Sequence, residues 1–129
     1  MLTQQVQSAD WKNEKHVPVI DCPDLFAKDE FIEVTVTIGK EIAHPNTTEH
    51  HIAWIELYYQ PEGDKFVYDI ARFTFGAHGA SVKGANEGPA YTHHVGKAQV
   101  KIDQPGKLYA LSYCNIHGLW ENEKSISVS

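Results

Sequence analysis

Long apolar segments and an apolar leader are both missing from this sequence. No apolar run approaches the ~18 residues of a membrane span, and residues 1–8 lack the basic start and apolar stretch of a signal peptide. We therefore expect a cytoplasmic protein without a membrane partner. The chain has 129 residues, the length of one ordinary domain, so residues 1–129 are predicted to form a single domain.

Cysteine and basic residues are scarce as well. The two cysteines, Cys22 and Cys114, occur without an export signal, and because the cytosol keeps thiols reduced, we expect both to be free. The formal net charge is -6, and the 11 lysines and arginines are scattered along the chain. Binding of nucleic-acid phosphates needs clustered basic side chains, so no nucleic-acid partner is expected.

Sustained helical periodicity is also lacking, and strand patterns take its place. Between Phe31 and Ile38, apolar residues alternate with glutamate and threonine, which predicts a half-buried strand. The predicted strands cover residues 31–38, 50–59, 66–75, 98–102, 108–114 and 125–128, with turn residues at 61–65 and 104–107. The glycine-rich stretch 76–96 is predicted to be a long loop with room for one short strand. This pattern predicts an all-β fold, an immunoglobulin-like antiparallel β-sandwich or barrel of about seven strands.

Histidine, in contrast, is plentiful, with eight residues. Three short segments hold imidazoles and one thiol suited to a single transition metal, and they contain His16, His44, His50 or His51, Cys114 and His117. Four imidazoles and one thiolate are too many donors for a structural zinc site, which four ligands close. Iron accepts six ligands and suits both donor types, so five protein donors would leave one position for a small substrate.

The local pattern indicates how these donors could meet. Cys114 ends a predicted strand, and a tight turn after it can direct both Cys114 and His117 to one ion, with backbone amides donating hydrogen bonds to the sulfur. His44 precedes a proline and is biased to an extended conformation, so the following loop can bring His50 back near it. His50 and His51 must point to opposite faces of a strand, and the apolar pattern does not choose between them.

Two alternative interpretations of these donors belong to other classes of protein. A blue-copper electron carrier also presents a distant histidine and a Cys-x-x-His loop on a β-sandwich, but its long axial bond usually comes from a methionine after that loop. The only methionine here is Met1, and two of the four histidines would have no role. A structural metal-binding module without catalysis is the other alternative, and it predicts a saturated metal.

Three ordered motifs resemble those of the superoxide reductase family, whose members are also called neelaredoxins. The motifs are Glu14-Lys15-His16-Val17-Pro18, the stretch from His44-Pro45-Asn46 to His50-His51-Ile52, and Cys114-Asn115-Ile116-His117-Gly118-Leu119-Trp120. The resemblance extends over nearly the whole chain. Desulfoferrodoxins carry an additional cysteine-rich N-terminal domain without a counterpart here, so the chain resembles the form with one iron centre.

The resemblance implies a single non-haem iron, Fe2+ or Fe3+, held in a square pyramid. Its equatorial ligands would be His16, His44, His50 and His117, and its axial ligand would be Cys114. This settles the choice between the two adjacent histidines. We then expect the remaining histidines to be surface or hydrogen-bonded residues, namely His51, His78, His93 and His94. Cys22 is expected to be a loop thiol, and Trp120 a packing residue close enough to the Cys114 turn to shield the site.

The resemblance also implies the reaction and its partners. Superoxide would take one electron from the ferrous centre and leave as hydrogen peroxide, without release of dioxygen. Lys15 would lie beside the open position of the reduced site, and Glu14 would be the sixth ligand in the oxidised state. An external donor such as rubredoxin would restore ferrous iron. Family members often form tetramers, so a homo-oligomer, in particular a homotetramer, is expected.

Overall fold

The computed structural model describes all residues 1–129 and confirms the predicted immunoglobulin-like all-β fold. The eight strands are β1 (Val19–Asp21), β2 (Leu25–Phe26), β3 (Ile32–Thr37), β4 (Ile52–Pro61), β5 (Tyr68–Thr74), β6 (Val95–Val100), β7 (Gly106–Cys114) and β8 (Gly118–Val128). One sheet has the order β1-β3-β6, and the other has the order β2-β8-β7-β4-β5. The only helical segment is a 3₁₀ turn at Leu2–Gln4, and no helix has the length and apolar character that a membrane span requires.

The core lies between the two sheets and follows the two-residue period of the strands. In β7, the side chains of Leu108, Ala110, Ser112 and Cys114 are buried, and the residues between them are less buried. Cys114 is therefore the last inward-facing position of this strand. Cys114 belongs to the buried hydrophobic cluster of the sandwich, and packing in this cluster restricts the position of its side chain.

Most predicted strands have counterparts in the structure. The predicted strands 31–38, 50–59, 66–75 and 108–114 correspond to β3, β4, β5 and β7, and the strand predicted at 98–102 is β6. The last strand begins at Gly118 rather than at Ser125. Its middle part, Glu121 to Lys124, consists of charged and amide residues with weak strand preference, but pairing with β7 holds it extended. Two very short strands, β1 and β2, were not predicted.

The turn at 104–107 connects the two sheets and does not form a hairpin. β6 pairs with β3, whereas β7 pairs with β4 and β8. The glycine-rich stretch before β6 contains no strand, only isolated bridges between His78 and Tyr91 and between Ser81 and Gly84.

One end of the sandwich gathers the segments that carry the predicted donors. In the smaller sheet, Thr37 at the end of β3 lies between Val19 of β1 and Val95 of β6. In the larger sheet, Ile52 at the start of β4 pairs with Cys114 at the end of β7. The segments that precede β1 and β4 and the turn that follows β7 therefore lie together at this end.

Candidate metal centre

Four of the predicted donors meet at this end of the sandwich. The ligand atoms of His16, His50, Cys114 and His117 all lie within 4.8 Å of one another. Donor atoms on opposite sides of an ion, each about 2.1 Å from it, are about 4.2 Å apart, so the group is close to the size that one metal needs. His44 lies outside this group of four, but its ring centroid is 4.9 Å from that of His16 and 4.8 Å from that of His50. All five predicted donors are thus neighbours.

The turn after β7 directs Cys114 and His117 to the same point. Three residues form the turn, and Cys114 pairs with Gly118 across it. Gly118 has a φ of 83°, a left-handed conformation that glycine adopts at no steric cost. The backbone N–H of His117 donates a hydrogen bond to Cys114 Sγ at 3.4 Å, in agreement with the predicted amide-to-sulfur contact. The Nδ1 atom of His117 lies 3.8 Å from the same sulfur.

His16 is held by Glu14 on one side of its ring and by Trp120 on its face. Its Nδ1 donates to Glu14 Oε1 at 2.6 Å, and its backbone N–H donates to the same oxygen at 3.1 Å. Because an ionised carboxylate only accepts hydrogen bonds, Nδ1 carries the proton and Nε2 keeps a lone pair, 3.1 Å from His117 Nδ1. Trp120 stacks on the ring at 4.9 Å, which agrees with its predicted place beside the site.

His44 and His50 lie at the two ends of one loop, and each has a buried Nε2 without a hydrogen-bond partner. His44 Nδ1 donates to the carbonyl oxygen of Pro45 at 2.7 Å, so its Nε2 carries a lone pair. Thr47 closes the loop, because its N–H donates to the carbonyl of His50 at 2.9 Å and its Oγ1 accepts from the His50 N–H at 3.0 Å. Buried polar atoms are normally satisfied, so these two nitrogens point to a ligand.

Burial favours the neutral form of three of these imidazoles, which is the form that binds a metal. Burial lowers the pKa of His44 to about 4. Burial likewise lowers the pKa of His50, and it lowers that of His16 against the opposing effect of Glu14. Because metal ligands must be deprotonated, neutral imidazoles together with a cysteine sulfur fit a transition metal such as iron.

The structure brings His50, and not His51, to the donor group. A β-bulge between Ile52 and Trp54 shifts the register of β4 against β7, and the buried positions of β4 change from even to odd numbers after it. The ring of His51 instead stacks on His78, with centroids 3.5 Å apart and an interplanar angle of 6°. A regular two-residue period could not reveal this break.

The other histidines lie outside the group, and three of them agree with their predicted roles. His51 donates from Nδ1 to a backbone carbonyl, His78 makes two hydrogen bonds, and His93 is exposed. His94 differs, because it is only 4% exposed and its Nδ1 has no partner. Its ring packs 5.8 Å from that of His44, and burial lowers its pKa to about 4. Both cysteines are free, as predicted.

Glu14 and Lys15 place opposite charges beside the donors. Desolvation raises the pKa of Glu14, but hydrogen bonds from His16 outweigh it and hold that pKa below its usual value, so Glu14 is a carboxylate. Lys15 is half-buried and makes no side-chain ion pair. Burial is the main cause of the lowered pKa of His16 and His50, and the charge of Lys15 adds to it, so this ammonium lies within electrostatic reach of the group.

The fold and the site define a β-sandwich protein with a candidate mononuclear centre of histidine and cysteine donors. The desulfoferrodoxin family model matches residues 8–123. Neelaredoxin from Megalodesulfovibrio gigas is 61% identical over 122 residues, which cover 95% of this chain and 94% of that protein. Superoxide reductase from Pyrococcus furiosus is 54% identical over 126 residues, which cover 98% of this chain and 99% of that protein.

A solved structure shows the same likeness in three dimensions. The superoxide reductase (neelaredoxin) from Archaeoglobus fulgidus in its reduced form superposes with a TM-score of 0.88 at 57% identity, covering 95% of this chain and 98% of that one. This chain belongs to the desulfoferrodoxin family. The resemblance seen in the sequence is thereby confirmed, together with the predicted class of enzyme, an oxidoreductase of the superoxide reductase type.

Proposed function

We propose that this protein reduces superoxide to hydrogen peroxide at one non-haem iron, with uptake of one electron and of two protons from water per turnover, and without release of dioxygen. The observation that supports this most directly is the convergence of one thiol and three imidazole donor atoms within 4.8 Å, with His44 beside them. When bound there, a ferrous ion would supply the electron. The residues around it would hold the ion and attract superoxide.

The proposed iron ligands are Nε2 of His16, His44 and His50, Nδ1 of His117 and Sγ of Cys114. The unpartnered Nε2 atoms of His44 and His50 and the lone pair of His16 Nε2 support this choice. The Cys114 thiolate would be the strongest electron donor among these ligands and would pass electron density to an iron held there, as a cysteine thiolate does to haem iron. For Glu14 we propose a sixth-ligand role in the oxidised state, when its carboxylate leaves His16.

Lys15 would attract superoxide to the site in spite of the protein's negative charge. The thiolate contributes -1 and the imidazoles nothing, so a ferrous ion would leave a local charge of about +1. The formal net charge of the chain is -6, but charges beyond a Debye length of about 8 to 10 Å are largely screened. The local field of the site and Lys15 therefore decides the approach of a small anion.

Replacing Lys15 by alanine is expected to slow the bimolecular reaction with superoxide by up to roughly tenfold at low ionic strength, and by less at high salt. Pulse radiolysis at several salt concentrations measures this rate. Lys101→Ala is the matched control, because it removes the same charge at the far end of β6, next to the Ile32–Val100 pair. Equal rates for Lys15→Ala and the wild type at all ionic strengths would exclude Lys15 from the reaction.

Replacing Glu14 by alanine is expected to leave the same encounter rate at the wild-type value or up to about twofold above it, since the variant keeps the positive charge of Lys15 and loses only a negative charge. The loss of the hydrogen bond to His16 Nδ1 should instead weaken metal binding by roughly tenfold, the size typical of such outer partners. Rapid mixing with superoxide and chelator competition give the two quantities. A large drop in the encounter rate would show that Glu14 acts earlier than proposed.

The electron donor is proposed to be a rubredoxin-type protein that docks where the centre reaches the surface. Among the four clustered donors only His117 is exposed, and the neighbouring Ile116 is 58% exposed.

A homotetramer is also proposed, since the edge strand β5 is uncovered and begins beside the exposed apolar residues Phe66 and Val67. A cytoplasmic location is supported by the two free thiols.

One experiment tests the proposed reaction. The iron-loaded protein is supplied with superoxide and a reductant, and superoxide, peroxide and dioxygen are followed together. Peroxide formation without dioxygen supports a reductase, whereas one dioxygen for each peroxide would make the protein a dismutase. Electron paramagnetic resonance separates the blue-copper alternative, because copper(II) and high-spin ferric iron give different spectra. A metal-loaded protein that does not react with superoxide would support the remaining alternative, a structural metal-binding module without catalysis.

A further inference from the structure

Asn115 directly follows Cys114 and is the first residue of the turn after β7. It makes hydrogen bonds to the loop that carries His50. Its side-chain Oδ1 accepts a hydrogen bond from the backbone N–H of His51 at 2.8 Å, and its Nδ2 donates to the carbonyl oxygen of Glu49 at 2.9 Å. Its own backbone N–H donates to the carbonyl of His51 at 3.1 Å. Three hydrogen bonds therefore reach from one residue to both neighbours of His50.

The geometry shows why an amide is needed at this position. The regular ladder between β4 and β7 ends at the pair Ile52–Cys114, directly beyond the β-bulge. Past this pair, the side-chain amide of Asn115 supplies an acceptor and a donor, as a peptide group of the next strand residue would. Its orientation is fixed, because one partner is a backbone N–H and the other a backbone carbonyl. An aspartate has the same shape but would set a carboxylate oxygen against the Glu49 carbonyl.

We propose that Asn115 is a positioning residue that couples the Cys114–His117 turn to His50, so that the sulfur and the loop imidazole keep their mutual distance. The inference rests on the proposed metal centre. It concerns the binding of the metal, since Asn115 itself touches neither the metal ligand atoms nor a substrate.

The direct test compares Asn115→Asp with the wild type in the binding of Co2+ to the metal-free protein. Competition with a coloured chelator gives the affinity, and the sulfur-to-cobalt charge-transfer band reports the geometry at the sulfur. We expect the variant to bind Co2+ roughly 10- to 100-fold more weakly, the range seen when a ligand loses its outer partner, and the band to shift. Thermal unfolding of the metal-free proteins shows that the variant is folded. Asn115→Ala, which removes the amide without adding a charge, should also lower the affinity and shift the band.

A matched control separates coupling from general loosening of the loop. Asn86 holds the outer side of the same loop, because its Oδ1 accepts from the Thr48 N–H at 2.8 Å and its Nδ2 donates to Glu49 Oε2 at 2.8 Å. Asn86→Asp keeps the acceptor for the Thr48 N–H but replaces the hydrogen bond to Glu49 by a contact between two carboxylates, and it does not touch the Cys114 turn. It is expected to lower the affinity less than threefold and to leave the band in place.

Two results would overturn the coupling role of Asn115. One is an unchanged Co2+ affinity and band in Asn115→Asp, and the other is an equal effect of Asn86→Asp. Neither result bears on the reaction with superoxide, because no superoxide is used. Conversely, a wild-type iron protein that fails to consume superoxide would exclude the proposed reaction and leave the coupling measured with Co2+ intact.

Discussion

Replacement of Cys114 by serine should abolish the sulfur-to-iron charge-transfer colour of the oxidised protein and reduce its metal affinity by at least about 100-fold. A serine hydroxyl stays protonated at neutral pH and is a poor ligand for iron, whereas a thiolate binds strongly. The side chain of Cys114 is 0% exposed and is the last inward position of β7, and the donor group contains no second thiol to replace it. Visible absorption and iron content measure the two effects.

The second cysteine provides the control for this experiment. Cys22 is half-buried and free, and its carbonyl accepts a hydrogen bond from Lys124 Nζ, away from the donor group. Cys22→Ser should therefore leave the colour and the iron content unchanged. An unchanged visible spectrum in Cys114→Ser would mean that another residue is the axial ligand.

Gly39→Ala is the second change with a large expected effect, here on stability and metal binding, because the backbone of Gly39 packs closely against that of His44. Gly39 has a φ of 75°, and a Cβ atom at this position would lie 2.6 Å from the backbone nitrogen of His44. A left-handed backbone costs an alanine about 1–2 kcal/mol, and relief of such an overlap costs roughly 1–3 kcal/mol more. We expect lower stability of the metal-free protein together with weaker metal binding, measured by urea unfolding and chelator competition.

Gly63 separates the two parts of this effect. Gly63 has a φ of 80°, but a Cβ atom there would meet nothing within 4 Å. Gly63→Ala should thus show the backbone cost alone and leave metal binding unchanged. If Gly39→Ala bound metal as tightly as Gly63→Ala, the close packing against His44 would have no role in the site.

The fold was predictable wherever a strand has one buried and one solvated face. Alternation in β3 was visible because its inward residues are apolar and the core selects them. β8 was mostly missed because its polar residues Glu121 to Lys124 are held by pairing with β7, which a local pattern does not contain. The same holds for β1 and β2, which are too short for any period to show.

The sequence could name a set of candidate donors, but it could not name the residues that hold these donors in place. The three motifs named all five donors, since histidine and cysteine at those spacings are uncommon together. The local strand pattern could not choose between His50 and His51, because the choice depends on the bulge in β4, which follows from pairing with β7. Only the family resemblance selected His50. Asn115 and Gly39 were likewise missed, because each acts through a contact with a residue distant in sequence or through a close approach of the backbone.

X-ray absorption by the iron-loaded, reduced protein tests the central claim most directly, namely that five donors from three separate segments bind one ion. The proposed ligands predict one sulfur and four imidazole nitrogens around the iron, with the sulfur lost in Cys114→Ser and retained in Cys22→Ser. An iron without a sulfur neighbour, or a reduced iron already surrounded by six protein donors, would contradict the account.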